Sequence, residues 1–476
     1  MKTQKSLKQN FIMNAILTMS SFIFPLITFP YVSRILLPVG TGKVSFATSL
    51  ISYFSIFAQL GIPTYGIRAC AKVRDDREAL TRTAHELFAI NLIMSCISYV
   101  ALAVALCTMP RLQGDRALYV IVSFTMVLSA IGMEWLYKAL EQYKYIAIRS
   151  IAFKFLALIA MLLLVQEQED YVIYGGITIF ASSASNIFNF INVHKYIDLK
   201  PVGNYDLKRH LKAVGVFFAM ACATTIYTHL DTIMLGFMAT DEDVGYYHAA
   251  VRIKTILVSI VTSLGTVLLP RVSYYLEHEK MEEFRRITKK ALNFVFLFAM
   301  PMMLYFILFA KEGIYLFSGT AYTGAVVPMQ LIMPTLLLIG ITNILGIQIL
   351  VPMGREKTVL YSEMAGAVVD IILNAMLIPG YASAGAAVGT LGAECAVLVV
   401  QYVALRDEVQ ESFQSVRYIK LLAALVLCSA ASLWVKALGF GDFLTLSISA
   451  VLFFGIYGGI LWITKEELVR EMIIGR

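Results

Sequence analysis

The chain has 476 residues, of which 59% are hydrophobic and only 15% charged, with a mean hydropathy of +0.74. A soluble domain carries about 25% charged residues to face water, so a water-soluble globule is excluded and lipid is the main solvent. The formal net charge is +7, but the basic residues fall between apolar segments and form no patch of the kind that binds nucleic acid.

Lys2, Lys5 and Lys8 precede an apolar run that reaches Tyr31. It is too long for the apolar core of a signal peptide and has no small-residue cleavage site, so it is expected to stay as a first span. A hydrocarbon core about 30 Å thick needs roughly 20 apolar helical residues. On that measure, spans are expected near 11–33, 44–66, 84–108, 117–137, 146–166, 171–193, 212–238 and 245–270. Six more follow near 290–310, 325–351, 358–379, 384–405, 418–437 and 442–464. Short Gly-containing connectors are all that separate 358–379 from 384–405, and 418–437 from 442–464. The fold expected is all-α integral membrane, with about 14 transmembrane helices.

Orientation follows from Lys and Arg. Connectors such as 68–82, 138–149, 195–212, 271–290 and 406–420 are basic, and they alternate with poorly basic ones such as EQED at 167–170 and TDED at 240–243. One set of connectors holds six basic residues: Arg34, Lys43, Arg111, Arg116, Lys311 and Lys436. Lys154, Arg252 and Lys254 lie within spans, and the termini with the other connectors hold the remaining 30 of 39. This asymmetry places both termini in the cytoplasm, and it survives only for an even number of spans. No connector is long enough for a soluble catalytic domain.

The six cysteines form no CxxC pair and no His cluster accompanies them, so a metal site is not expected. GTGKVS at 40–45 lacks the upstream glycine and the Ser/Thr directly after lysine that a phosphate loop needs. The halves echo each other at an offset of roughly 200 residues: Val44-Ser45-Phe46 against Val244-Gly245-Tyr246, and EALTRT at 78–83 against EEFRRIT at 282–288. Parallel repeats of this kind are a transporter signature. The expected organisation is an N-terminal lobe at 1–210, a C-terminal lobe at 211–406, and two additional spans with a cytoplasmic tail at 407–476.

PYVSRIL at 30–36, LGIPTYGIRACAKVRDD at 60–76 and YTHLDTIMLGFMATDEDVGYYHAAVRI at 227–253 carry a family resemblance. LLPRVSYYLE at 268–277, ILVPMGREK at 349–357 and LIPGYASAGAAVGTLGAE at 377–394 continue it. In order, and across essentially the whole chain, these resemble the Wzx-type oligosaccharide flippases of polysaccharide biosynthesis, relatives of the MATE exporters and lipid II flippases. The resemblance implies two six-helix lobes in a pseudo-two-fold, MATE-like arrangement plus two C-terminal helices. It also implies alternating access to an undecaprenyl-diphosphate-linked glycan in a bacterial plasma membrane. The bilayer and that glycan are the expected partners, with other polysaccharide-assembly membrane proteins as candidates and nucleic acid excluded.

An ionisable side chain at membrane depth is costly and therefore a functional candidate. Arg34, Arg68, Arg252 and Lys254 are the candidate substrate-binding residues, because guanidinium groups pair bidentately with phosphate. Arg34 and Arg68 equally fit cations that snorkel to an interface. Asp231, Glu363, Asp370 and Asn374 are the candidate ion-coupling residues. The last three are spaced by seven and four residues and so share one helical face. No cofactor is expected beyond a coupling ion, Na⁺ or H⁺. Asp231 divides between coupling and an ion pair with Arg252, and Glu394 leans to structure. Asn186, Asn189 and Asn192 read as interhelical glue, Glu134 and Trp135 as an interfacial belt, and His85 and Glu86 as wet. The rival functions are a MATE-type small-molecule antiporter and an integral membrane enzyme of glycan assembly. The basic candidates argue against the first, and short outer loops against the second.

Overall fold

The computed structural model describes residues 7–263, 265–414, 418–464 and 466, and the side chains of all of these but 7–11, 22, 265–267, 269 and 270. Lys2, Lys5 and the chain after 466, which bear on the expected cytoplasmic termini, lie outside the described residues. Those described residues form helices and no strand.

The chain divides into two compact units, Met1–Ile233 and Met234–Arg476. Unit 1 contains α1 (Leu7–Gln59), α2 (Ile62–Lys72), α3 (Arg77–Thr108), α4 (Pro110–Gln113), α5 (Arg116–Gly132), α6 (Glu134–Ala139), α7 (Tyr143–Leu164), α8 (Tyr171–Ile179) and α9 (Asn186–Asn192). Most of α10 (Lys208–Met238) belongs to it too. Unit 2 contains α11 (Asp241–Thr262), α12 (Gly265–Glu277), α13 (Met281–Leu308), α14 (Ala310–Ser318), α15 (Val326–Ile332) and α16 (Thr335–Thr342). It ends with α17 (Glu356–Ala404), α18 (Arg406–Gln414), α19 (Tyr418–Leu433) and α20 (Asp442–Ile463). The unit boundary thus falls inside α10, where the sequence suggests a lobe boundary at 210/211.

Among the described residues, nine helices are long and apolar enough to cross a membrane, ten when a bent pair is taken as one span. That pair, Thr320–Ile332 and Thr335–Leu350, bends by 44° beside Pro334, which removes a backbone donor from the helical ladder. The surface pattern is that of a lipid-facing protein. On α3, Ile93, Ile97, Val100 and Val104 are exposed while Asn91, Ser95 and Ser98 on the other side are buried. A row of large apolar side chains facing outward is stable only against lipid or a partner.

Two helices are far longer than a bilayer requires, 53 residues for α1 and 49 for α17. Each contains one non-helical residue: Leu37 (φ 58°) in α1 and Ala382 (φ 44°) in α17. Pro38 bars the helical region to the residue before it, which places the α1 break at Leu37. Before the break, Lys154 Nζ donates to Ser20 Oγ at 2.9 Å and Tyr31 Oη to the Val165 carbonyl at 3.0 Å, so this stretch runs alongside α7 in the same direction. After it, Lys43 pairs with Asp115 at 2.9 Å and Phe46 stands edge-on to Tyr119, so the chain runs alongside α5. In α17, Gln401 Nε2 donates to Ser362 Oγ at 3.0 Å, and Gly389 lies against Asn374. These partners sit symmetrically about Ala382, so α17 is an antiparallel hairpin of two helices. Both breaks coincide with connectors expected between spans.

One aromatic contact recurs in each unit. Phe46 meets Tyr119 at 6.4 Å and 84° in unit 1, and Tyr246 meets Tyr322 at 6.3 Å and 76° in unit 2. Phe46 and Tyr246 are the residues the repeat sets in correspondence. The last two helices are tied to α13: Tyr305 Oη lies 2.9 Å from Ser449 Oγ, and Tyr457 Oη donates to the Leu297 carbonyl at 2.9 Å.

Candidate substrate and ion-coupling sites

Unit 1 holds Arg34, Arg68 and Asp231. Arg34 is exposed one turn before the α1 break, and its Nη1 donates to the Pro30 carbonyl at 2.5 Å. Arg68 is exposed on α2. Asp231 is only 6% exposed on α10. One turn before Asp231's neighbour Thr232, Thr228 closes on its own helix through the Thr224 carbonyl. The preceding α10 residues are fixed against α1: His229 Nδ1 lies 3.2 Å from Ser49 Oγ, and Tyr53 Oη donates to the Ile226 carbonyl at 3.4 Å. At the α1 end, Gly61 adopts φ 71°, and a Cβ there would fall 2.4 Å from the Phe218 backbone nitrogen. Only glycine satisfies both the conformation and the approach.

Unit 2 holds the other candidates. Arg252 is half-buried in α11, and its Nε donates to His248 Nε2 at 3.2 Å, one turn back. Lys254 is half-buried on the same helix. In the α17 hairpin, Asp370 and Asn374 are 2% and 0% exposed, and Asn374 Nδ2 donates to Asp370 Oδ1 at 3.1 Å. The structure therefore brings these two together as their spacing predicts. Glu363, on the same face two turns earlier, is half-buried.

Across the hairpin, a Cβ on Gly389 would fall 2.1 Å from Asn374 Oδ1 and 3.0 Å from Asp370 Oδ1. Thr390 Oγ1 lies 2.8 Å from Tyr247 Oη of α11, and Glu394 is 5% exposed one turn further. Carboxylate, amide and hydroxyl oxygens are the donor set that hard cations take. A carboxylate at this depth also suits a proton relay.

Several polar residues behave otherwise than the sequence suggests. Glu86 is 1% exposed, not wet. It accepts from the Asp206 backbone amide at 2.7 Å, from Arg209 Nε at 2.9 Å and from His210 Nε2 at 2.8 Å, while His210 Nδ1 meets Tyr65 Oη at 2.8 Å. The segment leading into α10 is thereby tied to α2 and α3. Trp135 is 4% exposed in a core with Ile62, Leu87 and Leu136, so it belongs to no belt. Gly66 lets its ring approach, since a Cβ there would stand 2.8 Å away. Glu134 pairs with Lys138 at 2.8 Å and Arg149 at 3.3 Å. Asn192 Nδ2 does join helices, donating to Tyr145 Oη at 3.1 Å. The buried Oδ1 of Asn186 and both amide atoms of Asn189 have no hydrogen-bond partner among the described residues.

A hydroxyl-lined cavity of about 390 Å³ in unit 1 is not among the sites expected from the sequence. Its signal was legible: Thr48, Ser52, Ser55 and Gln59 recur at helical spacing along one face of α1.

A family model described as Polysaccharide biosynthesis protein matches residues 7–276, more than half of the chain. The chain belongs to the polysaccharide biosynthesis family. A second model, MatE, matches residues 217–376. This family member is 25% identical over 412 residues to an Escherichia coli (strain K12) protein described as a candidate O-antigen transporter, covering 86% of this chain and 99% of that one. A Haloferax volcanii protein described as a candidate low-salt glycan biosynthesis flippase is 21% identical over 301 residues, covering 63% of this chain and 60% of the other.

Among solved structures, the lipid II flippase MurJ in its inward closed conformation aligns with a TM-score of 0.71 at 16% identity, over 96% of this chain and 100% of that one. An inward-facing multidrug resistance MATE transporter aligns with a TM-score of 0.66 at 13% identity, over 85% and 99%. The chain shares their fold and is a multi-pass membrane protein.

Proposed function

We propose that this protein moves an undecaprenyl-diphosphate-linked oligosaccharide from the inner to the outer leaflet of a bacterial plasma membrane, by alternating access. The observation that carries the reading is the near end-to-end match to a relative named for O-antigen transport. The half-buried Arg252 adds a chemical reason. A diphosphate carries charge that low dielectric rejects, and a guanidinium on an apolar helix gives it a bidentate partner. Arg34, Arg68 and Lys254 supply further positive charge along the route, while the polyprenyl tail stays in lipid. The fourteen-span topology with cytoplasmic termini, and the two six-helix lobes with two trailing spans, belong to the same proposal.

Asp370 and Asn374, with Asp231 and Glu363, are proposed to couple transfer to a Na⁺ or H⁺ gradient. Leaflet transfer that ignores the collapse of either gradient would remove the coupling. The MatE match favours a second reading, a small-molecule antiporter on the same fold.

Arg252→Ala tests the mechanism in proteoliposomes. Loss of one charge-assisted hydrogen bond costs about 1.5–3 kcal/mol, so transfer of the lipid-linked glycan is expected to fall about ten- to a hundredfold. Unchanged transfer sinks the cationic route.

A further inference from the structure

We infer that the hydroxyl-lined cavity of unit 1 is a binding site for a neutral sugar ring; within the flippase reading, on which its biological role rests, it receives a sugar of the glycan head group. The cavity, about 390 Å³, lies within the roughly 300–1,000 Å³ typical of small-molecule pockets. It has room for on the order of ten waters, far more than a structural void. Among the described residues, no Asp, Glu, Lys or Arg lines it.

The chemistry of the wall selects the ligand. Thr48 Oγ1 donates to the Val44 carbonyl at 2.8 Å, and Ser52 Oγ to the Thr48 carbonyl at 2.8 Å. With their protons spent on their own helix, these hydroxyls present lone pairs to the cavity. Ser55 is 9% exposed, lines the same cavity and has no hydrogen-bond partner for its buried Oγ among the described residues.

The wall also carries Ser182, on a π-helical turn, Phe180–Ala184. Single π turns inside α-helices often mark functional sites, since the extra residue re-aims the side chains. Thr225 and His229 of α10 close the third side, one turn apart. Ile56, Val122 and Ile179 add apolar surface between the polar groups. A ring with many O–H donors and apolar C–H faces meets all of this. A phosphate, which only accepts, finds no Lys or Arg among the described lining residues. A bare cation finds lone pairs but no carboxylate to balance its charge.

The test uses the full chain in lipid nanodiscs. Its thermal unfolding midpoint is measured with a panel of free neutral monosaccharides that differ in hydroxyl configuration, with N-acetylhexosamines included, and with sodium chloride as a control. At least one sugar is expected to raise the midpoint. Thr48→Val/Ser52→Ala keeps the space but loses two acceptors, and should weaken the apparent affinity about threefold to tenfold per hydroxyl. Ala221→Phe should fill the cavity and abolish the response. Should Ala221→Phe fail to fold, the double hydroxyl variant still decides. No response by the wild type to any sugar, an unchanged response in the double variant, or a shift produced equally by sodium chloride overturns the sugar site. Wild-type protein that binds a sugar in this way yet transfers no lipid-linked glycan in proteoliposomes would overturn the flippase reading and leave the site standing.

Discussion

Glu86 lies at the start of the expected span, four residues after Arg82, where sequence position alone suggests water. It is instead covered by the segment that enters α10, with Arg209, His210 and the Asp206 amide all donating to it. Breaking a buried pair by removing one charge costs about 3–5 kcal/mol, because the remaining groups stay desolvated. Arg209 is half-exposed, so part of that figure is lost to solvent screening. Glu86→Gln is therefore expected to destabilise unit 1 by about 2 kcal/mol, read as earlier denaturant unfolding of the purified protein. An unchanged midpoint would mean the cluster is incidental.

The signal for Glu86 was not available from local pattern, since its partners are about 120 residues away in sequence. Asp370 and Asn374 were legible for the opposite reason: both sit on one helix, and an i, i+4 spacing fixes their contact before any tertiary information is needed. Trp135 shows the same limit as Glu86. An aromatic near an expected interface suggests a belt, yet the tertiary approach of Gly66 and a core with Ile62 and Leu87 bury it.

At the scale of elements, apolar length and turn chemistry made most of the helices readable. The two breaks in the longest helices fall where short Pro- or Gly-containing connectors predict a turn, at Leu37 before Pro38 and at Ala382 within GYASAG. Boundaries were less readable. Helix α3 starts at Arg77, about two turns ahead of the expected span, because Asp76 caps it by accepting from the amides of Glu78 and Ala79 at 2.9 and 3.1 Å. The hydroxyl face of α1 is written in the sequence, as Thr48, Ser52, Ser55 and Gln59 at helical spacing.

The hairpin in α17 makes a sharp prediction. Gly389 has Asn374 and Asp370 where a side chain would begin, so Gly389→Leu forces the two helices apart. Overpacking of this kind costs about 1–3 kcal/mol, and the variant should also lose transport. Purified Gly389→Leu protein with wild-type thermal stability and transfer rate would contradict the hairpin packing.

For the whole molecule, composition settled the solvent and the motifs settled the family, since both are properties of the chain as a string. Cargo is a different matter, because one fold hosts lipid II flippases and multidrug exporters alike. The distinction rests on which charges and hydroxyls line the route. The central claim is best tested by direct leaflet transfer: purified full-length protein in proteoliposomes, with an undecaprenyl-diphosphate-linked oligosaccharide in one experiment and a cationic dye in another. Faster transfer of the glycan lipid than in protein-free vesicles, with no dye exchange, is the predicted result. Dye exchange without glycan-lipid transfer would contradict it.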